Sequence, residues 1–173
     1  MTAAPSPSAA VSPTLRHPTS ADGAAMWGLV KETGVLEVNS CYAYLLLSAH
    51  FADTCLVAEL DGRLVGFVAA YRPPRVPDVL FVWQVGVVGE GRRRGLAKRM
   101  LHTLIDAPAC RGVSHLEATV APSNLASERL FMAFAREQSA PCAQGRGFQE
   151  ADFGPAHHEA ETLFRIGPLR RKE

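Results

Sequence analysis

One stretch, residues 79–100, constrains the fold of this chain more than any other. It begins with nine residues, Val79–Val87, that are apolar except for one glutamine. A glycine-containing turn follows at 88–91, and 92–97 opens a helical pattern with three arginines and Gly95. This order predicts a buried strand, a basic turn and a helix start. Because the first N–H groups of a helix lack partners and carry partial positive charge, such a turn suits a diphosphate.

Length and charge limit the class of protein. The chain has 173 residues, enough for one domain with a buried core. Its formal net charge of +1 argues against a general nucleic-acid binder or an electrostatic membrane binder. The basic cluster within 92–99 therefore stands out from the rest of the chain, although a solvated helix face is the alternative explanation.

The cysteines and the chain ends indicate a cytoplasmic protein. Cys41, Cys55, Cys110 and Cys142 form no C-x-x-C pair, so reduced thiols are expected. No apolar run reaches the ~18 residues that a membrane-spanning helix needs, and the start has no signal-peptide pattern. Residues 1–14 are rich in Ala, Pro, Ser and Thr and predict a disordered tail. A single domain is expected at 15–168, followed by a basic tail at 169–173.

The periodicity of the chain predicts an α+β fold in the order β-α-α-β-β-β-α-β-α-β. Thr19 and Asp22 are spaced as a capping box for the first helix, and Asp61-Gly62 is typical of a hairpin turn. The segment 141–155 has no clear period and is expected to be irregular. The predicted strands are 15–17, 54–60, 63–71, 79–87, 115–120 and 162–166, and the predicted helices are 23–31, 42–50, 93–106 and one from about 124.

Residues Arg92-x-x-Gly95-x-Ala97 resemble the Gln/Arg-x-x-Gly-x-Gly/Ala loop of the GCN5-related N-acetyltransferase (GNAT) family, which grips the diphosphate of acetyl-coenzyme A. The context agrees, with an apolar strand before the loop, a helix after it and a hairpin upstream. A strand–Pro-x-Asn–helix unit at 120–124 also matches. The resemblance implies a GNAT fold with a central mixed sheet and helices on both faces. It further implies acetyl-coenzyme A as co-substrate, no metal, and a homodimer.

Four longer segments, 22–47, 81–87, 116–124 and 157–168, resemble one branch of this family. That resemblance implies acetyl transfer to the 4-amino group of L-2,4-diaminobutyrate, a small-molecule acceptor used in the synthesis of the compatible solute ectoine. Two alternatives stay open. In the first, the acceptor is another small diamine or a protein lysine. In the second, the chain is a non-catalytic sensor of acyl-coenzyme A.

The resemblance also implies which residues hold the cofactor. Val85, Gly86 and Val87 would pair with the pantetheine arm, with Gly86 giving room and the Val85 N–H stabilising the oxyanion. Asn124 would bond the same arm, and the alternative is a helix cap. The diphosphate would be held by Arg92, Arg93, Arg94, Gly95, Leu96, Ala97 and Lys98.

The acceptor amines have pKa values near those of lysine or an α-amino group, so the attacking amine must lose a proton. Glu117 is the predicted catalytic and substrate-binding carboxylate, because it points away from the core face of its strand; an ordinary exposed glutamate is the alternative. Trp83 is a candidate wall of the pocket or a core residue. Glu37 and Tyr42 are candidate loop contacts or solvated side chains. His158 is a candidate hydrogen-bonding group, since its neighbours His157, Glu159 and Glu161 fit no standard zinc spacing.

One departure from the family pattern concerns the proton donor to the leaving thiolate. Many members place a tyrosine in the last helix, where this chain has Phe131. Tyr42, Tyr44 and water are the alternative proton donors. Cys41 has no adjacent base, so direct attack of the amine on the thioester is favoured over a covalent enzyme intermediate.

Overall fold

The computed structural model describes residues 12–92, 95–155 and 158–170. Its strands form one seven-stranded sheet. Most of the predicted tail (1–11), the cofactor candidates Arg93 and Arg94, His157, and residues 171–173 lie outside the described ranges. The strands are β1 Thr14–Arg16, β2 Leu56–Leu60, β3 Arg63–Tyr71, β4 Val79–Val87, β5 His115–Val120, β6 Cys142–Arg146 and β7 Thr162–Ile166.

The sheet is mixed, as predicted. Its strand order is β1-β2-β3-β4-β5-β7-β6. The β4–β5 pair is parallel, and every other neighbouring pair is antiparallel. The parallel pair therefore requires a crossover, which a helix supplies.

Helices cover both faces of the sheet, which confirms the expected α+β architecture. They are α1 Gly23–Thr33, α2 Cys41–His50, α3 Leu96–Ile105 and α4 Leu125–Glu137. α3 and α4 pack on one face through residues such as Met100 and Phe134. α1 and α2 pack on the other face through Met26 and Tyr44. None of the helices in the described ranges has the length and apolar character needed to cross a membrane.

Two local predictions are confirmed. Asp61 and Gly62 join β2 to β3 with φ of 50° and 75°, the positive values that a two-residue hairpin turn of type I′ requires. The Thr19 N–H donates to Asp22 Oδ2 at 2.7 Å. That bond satisfies an N–H ahead of the short 3-10 turn that leads into α1.

The differences from the predictions include one additional strand and the starts of two elements. The sequence CAQGR of β6 is mostly exposed and has no apolar alternation, so local pattern does not predict this strand; pairing with β7 along its full length forms it. β1 begins at Thr14, inside the predicted tail. α3 begins at Leu96 rather than at residue 93, because Gly95 precedes it in the left-handed conformation with φ of 66°.

Candidate active site

The site is a cleft that opens where β4 and β5 separate. Their pairing covers Val79, Leu80 and Phe81 of β4, and in the described chain it ends at the Phe81–Glu117 pair. The remaining residues of both strands line cavities instead. The two strands therefore separate beyond the Phe81–Glu117 pair.

A bulge in β4 aims side chains into the cleft. Ala69 pairs with Gln84 and Ala70 pairs with Val82, so Trp83 is the extra residue. Trp83 consequently packs towards the α1–α2 layer, while Val85 packs towards α3 and α4.

One half of the cleft, about 400 Å³, runs from β4 to the start of α3. It brings together many of the residues predicted to hold the cofactor. Thr33 and Leu36 close it from the α1 side, and Leu130 closes it from α4. The predicted residues that line it are Val85, Gly86, Val87, Arg92, Ala97 and Asn124.

The start of α3 presents backbone N–H groups to an anion. The Arg99 N–H bonds the Gly95 carbonyl at 2.9 Å, so the N–H groups before it belong to the first helical turn, which lacks intrahelical acceptors. Arg92 lies beside this turn, with Nε donating to the Val87 carbonyl at 3.1 Å. These features fit a diphosphate, with partial positive charge from the helix and full charge from the guanidinium.

Two side chains of the predicted loop point elsewhere. Leu96 is 3% exposed and belongs to the core on the α3–α4 face. Lys98 Nζ donates to Glu137 Oε1 on α4. Leu96 and Lys98 therefore offer an anion at this turn only their backbone N–H groups, and not their side chains.

Gly86 makes room for protein atoms. A Cβ atom there would lie 2.8 Å from the Phe67 ring and 3.1 Å from Leu36. This differs from the expectation that the missing side chain serves the pantetheine arm. The glycine lets the segment after α1 approach β4 closely, and that segment forms one wall of the cleft.

Asn124 lies where both predicted roles, the cap of α4 and the contact with the pantetheine arm, are open to it. Its Oδ1 accepts the Ser127 N–H at 3.1 Å, so it caps α4. Asn124 also lines both halves of the cleft. Its amide nitrogen is the group through which a bound pantetheine arm would be recognised.

The second half of the cleft, called the acceptor half here, has a volume of about 480 Å³ and is lined by three of the predicted acceptor residues. Glu37, Trp83 and His158, predicted from the sequence, line it together. It is continuous with the cofactor half, because Val35, Leu36, Val85, Asn124 and Ser127 line both.

The other two predicted acceptor residues, Glu117 and Tyr42, are not among the lining residues. Arg165 Nη1 donates to Glu117 Oε1 on the paired strand, so the charge of this carboxylate is already balanced. Tyr42 is 66% exposed on the outer side of α2. The predicted direction of Glu117, away from the core face, is correct, but its partner is a protein side chain.

Glu161 is a charged lining residue that the sequence analysis does not select. It lines the cavity, and His158 Nε2 lies 3.9 Å from its Oε1. Its main chain is fixed by bonds to Phe148 at 2.7 Å and Gly147 at 3.1 Å. A signal exists in the sequence, because Glu161 stands three residues after His158 in a segment that resembles the family.

Aromatic rings form much of the remaining acceptor wall. Phe153 stacks on the His158 ring with centroids 3.9 Å apart. Phe148, Phe81 and Tyr71 also line the cavity. Burial raises the pKa of the Tyr71 hydroxyl, so Tyr71 contributes a neutral hydrogen-bonding group.

The charge of the acceptor half selects for cations. Glu37 and Glu161 contribute carboxylates, and no lysine or arginine occurs among its described lining residues. An acceptor with ammonium groups gains attraction in such a cavity, whereas an anion is repelled.

Phe131 lines the cavity in place of the tyrosine that many GNAT members have, and it is 3% exposed. The thiolate therefore has no phenol at this position. Cys41 is a free thiol outside the lining residues. Within the described chain, no three His, Cys, Asp or Glu residues are grouped as metal ligands.

The fold and the cleft define an acetyltransferase of the GNAT class. The family model described as acetyltransferase (GNAT) family matches residues 25–134, more than half of the chain, and the chain belongs to this family.

Several relatives of known specificity are also similar over nearly the whole chain. An L-2,4-diaminobutyric acid acetyltransferase from Halalkalibacterium halodurans is 49% identical, covering 90% of this chain and 82% of the relative. One from Bordetella parapertussis is 48% identical, covering 94% and 88%. The diaminobutyrate acetyltransferase of Paenibacillus lautus, solved with its substrate L-2,4-diaminobutyric acid and coenzyme A, superposes with a TM-score of 0.87. It is 46% identical, covering 93% of this chain and 98% of that structure.

Proposed function

We propose that this protein transfers the acetyl group of acetyl-coenzyme A to the 4-amino group of L-2,4-diaminobutyrate, giving N4-acetyl-L-2,4-diaminobutyrate and coenzyme A. The observation that carries the proposal is the acceptor cavity, which is lined by Glu37 and Glu161 and by no described lysine or arginine. It suits an acceptor with two ammonium groups. The specificity of the relatives supports the same substrate, and with it a step in ectoine synthesis.

The reaction is a displacement at the thioester. Bound acetyl-coenzyme A supplies an activated carbonyl carbon: a C–N bond forms, the C–S bond breaks, the amine loses one proton and the sulfur gains one. The Val85 N–H is assigned to the developing oxyanion. Arg92, with the first turn of α3, holds the diphosphate, and Asn124 orients the arm between them.

The acceptor half binds and orients the diamine. Glu37 and Glu161 pair with its ammonium groups, and Trp83 forms an apolar wall beside its carbon chain. An ammonium cannot attack, so one proton must leave before the C–N bond forms. His158 and Glu161 are adjacent groups able to accept that proton, directly or through water.

Incubation of the purified protein with both substrates tests the proposal. Mass spectrometry and NMR are expected to show the 4-N-acetyl product in stoichiometry with released thiol. Glu37→Gln and Glu161→Gln are each expected to raise the acceptor KM about tenfold, with the acetyl-coenzyme A KM constant within about twofold.

The matched control is Glu32→Gln, which removes an exposed carboxylate that pairs with Arg63 outside the cleft. It is expected to keep both KM values. Competition between diaminobutyrate, ornithine and lysine tests the acceptor, and a higher kcat/KM for either longer diamine would reassign it. Binding of coenzyme A without any turnover would instead indicate a sensor.

We also propose that the protein works as a homodimer in the cytoplasm. Exposed apolar side chains on α2 and in the segment before it support self-association. Val38 is 52% exposed, Tyr42 is 66% exposed and Leu46 is 37% exposed. Light scattering coupled to gel filtration measures the mass directly, and a mass of one chain at micromolar concentration would refute the dimer.

A further inference from the structure

Gln84 is a polar side chain buried in the otherwise apolar strand β4. It is 7% exposed, and the bulge at Trp83 turns it towards α2. A buried amide is costly unless its donor and acceptor are both bonded. Its hydrogen-bond partners therefore indicate why a polar side chain is tolerated here.

Both ends of the Gln84 amide are bonded. The hydroxyl of Tyr44 donates to Gln84 Oε1 at 2.9 Å, and Gln84 Nε2 donates to the Glu37 carbonyl at 3.0 Å. A carbonyl only accepts, so the amide nitrogen must face Glu37 and the amide oxygen is left for Tyr44. Tyr44 is completely buried, and burial raises the pKa of its hydroxyl, so it remains a donor.

The segment 35–40 that receives this bond has no helix or strand. Its far end is held by Trp27, whose Nε1 donates to the Asn39 carbonyl at 2.9 Å. Its near end receives longer contacts from Thr33 Oγ1, at 3.4 Å from the Leu36 nitrogen. Gln84 thus bonds the middle of the segment at Glu37, and both residues line the acceptor cavity.

We propose that Gln84, oriented by Tyr44, is a positioning residue that fixes the backbone of Glu37 and thereby sets the affinity for the acceptor amine. This inference rests on the proposed function, in which Glu37 binds an ammonium group. Neither Tyr44 nor the Gln84–Glu37 bond touches the cofactor half of the cleft. The segment itself reaches both halves, since Val35 and Leu36 also line the cofactor half, and the larger effect is expected on the acceptor because Gln84 bonds Glu37 directly.

The first experiment needs no substrate. Hydrogen exchange of the segment 35–40 is measured in the free protein, in Tyr44→Phe and in the double variant Tyr44→Phe/Gln84→Leu. The double variant removes both polar groups together and so avoids leaving one buried and unpaired. Both variants are expected to exchange about tenfold faster in this segment, as expected when one hydrogen bond of typical strength is lost.

Ser48→Ala is the matched control. Ser48 lies on the same helix as Tyr44, is 2% exposed, and its hydroxyl donates to Met26 Sδ. The control therefore loses a buried hydroxyl in the same layer but keeps the Gln84 bonds. It is expected to leave exchange in 35–40 unchanged. Equal exchange in Tyr44→Phe and Ser48→Ala would overturn the positioning role.

The second experiment is a double-mutant cycle with Glu37→Gln. Tyr44→Phe is expected to raise the acceptor KM about five- to tenfold in the wild-type background, with the acetyl-coenzyme A KM constant within about twofold. In the Glu37→Gln background the same change is expected to add less than about twofold, because its effect acts through Glu37.

The outcomes separate the two proposals. A wild-type protein that makes no acetylated diamine refutes the proposed function, and hydrogen exchange still decides whether Gln84 orders the segment. A wild-type protein that turns over, with equal effects of Tyr44→Phe in both backgrounds, refutes the positioning role alone. So does an equal rise in the acetyl-coenzyme A KM, which a general loss of structure would cause.

Discussion

Arg165 and Glu117 are direct partners across the β5–β7 pair, and Arg165 Nη1 donates to Glu117 Oε1. The glutamate side chain is 15% exposed and the arginine side chain 41%. A carboxylate that already has a guanidinium partner is a weak attractor for a second cation. The pair therefore stabilises the sheet beside the cleft, which is why the proposed amine binding is assigned to Glu37 and Glu161 and not to Glu117.

The first prediction concerns Glu117→Gln. It is expected to lower the free energy of unfolding by roughly 0.5–1 kcal/mol, because a partly exposed cross-strand ion pair contributes little. Urea unfolding measures that loss. The acceptor KM is expected to stay within about twofold of wild type, in contrast to Glu161→Gln. A tenfold rise in acceptor KM would restore Glu117 to the binding site.

The second prediction is the pH dependence of an ion pair near the amino terminus. Arg16 holds Asp22 with two bonds of 2.8 Å, from Nη1 and Nη2. The hydrogen bonds from this guanidinium lower the pKa of Asp22 from 3.8 to about 2. A lowered folded-state pKa means that the unfolded chain binds the proton more tightly.

The contribution of Asp22 to stability is therefore complete above about pH 4 and is lost as the pH falls towards 2. Because Arg16 is partly exposed, the contribution is discounted to roughly 1–2 kcal/mol. Asp22→Asn is expected to lose that amount at pH 7 and little at pH 2. Unfolding curves across this range measure it, with the exposed Asp53→Asn as the charge-matched control. A constant difference at all pH values would contradict the assignment.

The third prediction separates the two roles of Asn124. Asn124→Ser keeps a side-chain oxygen for the Ser127 N–H, so the unfolding free energy is expected to change by less than about 0.5 kcal/mol. The lost amide is expected to raise the acetyl-coenzyme A KM several-fold. Asn124→Ala loses the cap as well and is expected to cost about 1 kcal/mol. If Asn124→Ser retains the wild-type KM, capping is the whole role of this residue.

The sequence predicts some parts of the fold well because local pattern determines them. Arg63–Tyr71, Val79–Val87 and His115–Val120 are predicted with their observed bounds, since each is an apolar or alternating run ended by turn residues. β6 has no such pattern and exists through pairing with β7. Edge strands of this kind are determined by tertiary contacts that a local window does not contain.

The candidate site divides in the same way. The cofactor half lies beside a short continuous motif, residues 92–97, of which Arg92 and Ala97 line it. The acceptor half is assembled from segments far apart in the chain, such as Glu37 and Glu161. The ion pair that occupies Glu117 depends on the register of β5 against β7, which periodicity alone does not give. The sequence contains Glu161, but it does not show that this residue lines the cleft.

The fourth prediction concerns Gly95, which precedes α3 with φ of 66°. A Cβ atom there would meet nothing within 4 Å, so the glycine is required by its backbone conformation and not by space. Gly95→Ala is expected to cost about 1–2 kcal/mol in stability. If the chain escapes the strain by changing φ, the N–H groups of the first turn lose their direction, and the acetyl-coenzyme A KM rises.

Gly28 in α1 is the control for the same chemical change. A Cβ atom at Gly28 would also meet nothing within 4 Å, and this glycine lies inside a helix. Gly28→Ala is therefore expected to stabilise the protein by about 0.5–1 kcal/mol and to leave both KM values unchanged. Thermal unfolding and initial rates measure the two variants side by side. Equal stability of Gly95→Ala and Gly28→Ala would show that the left-handed conformation before α3 carries no strain. If Gly95→Ala changes φ and the acetyl-coenzyme A KM is still unchanged, the geometry of the first turn of α3 does not serve the diphosphate.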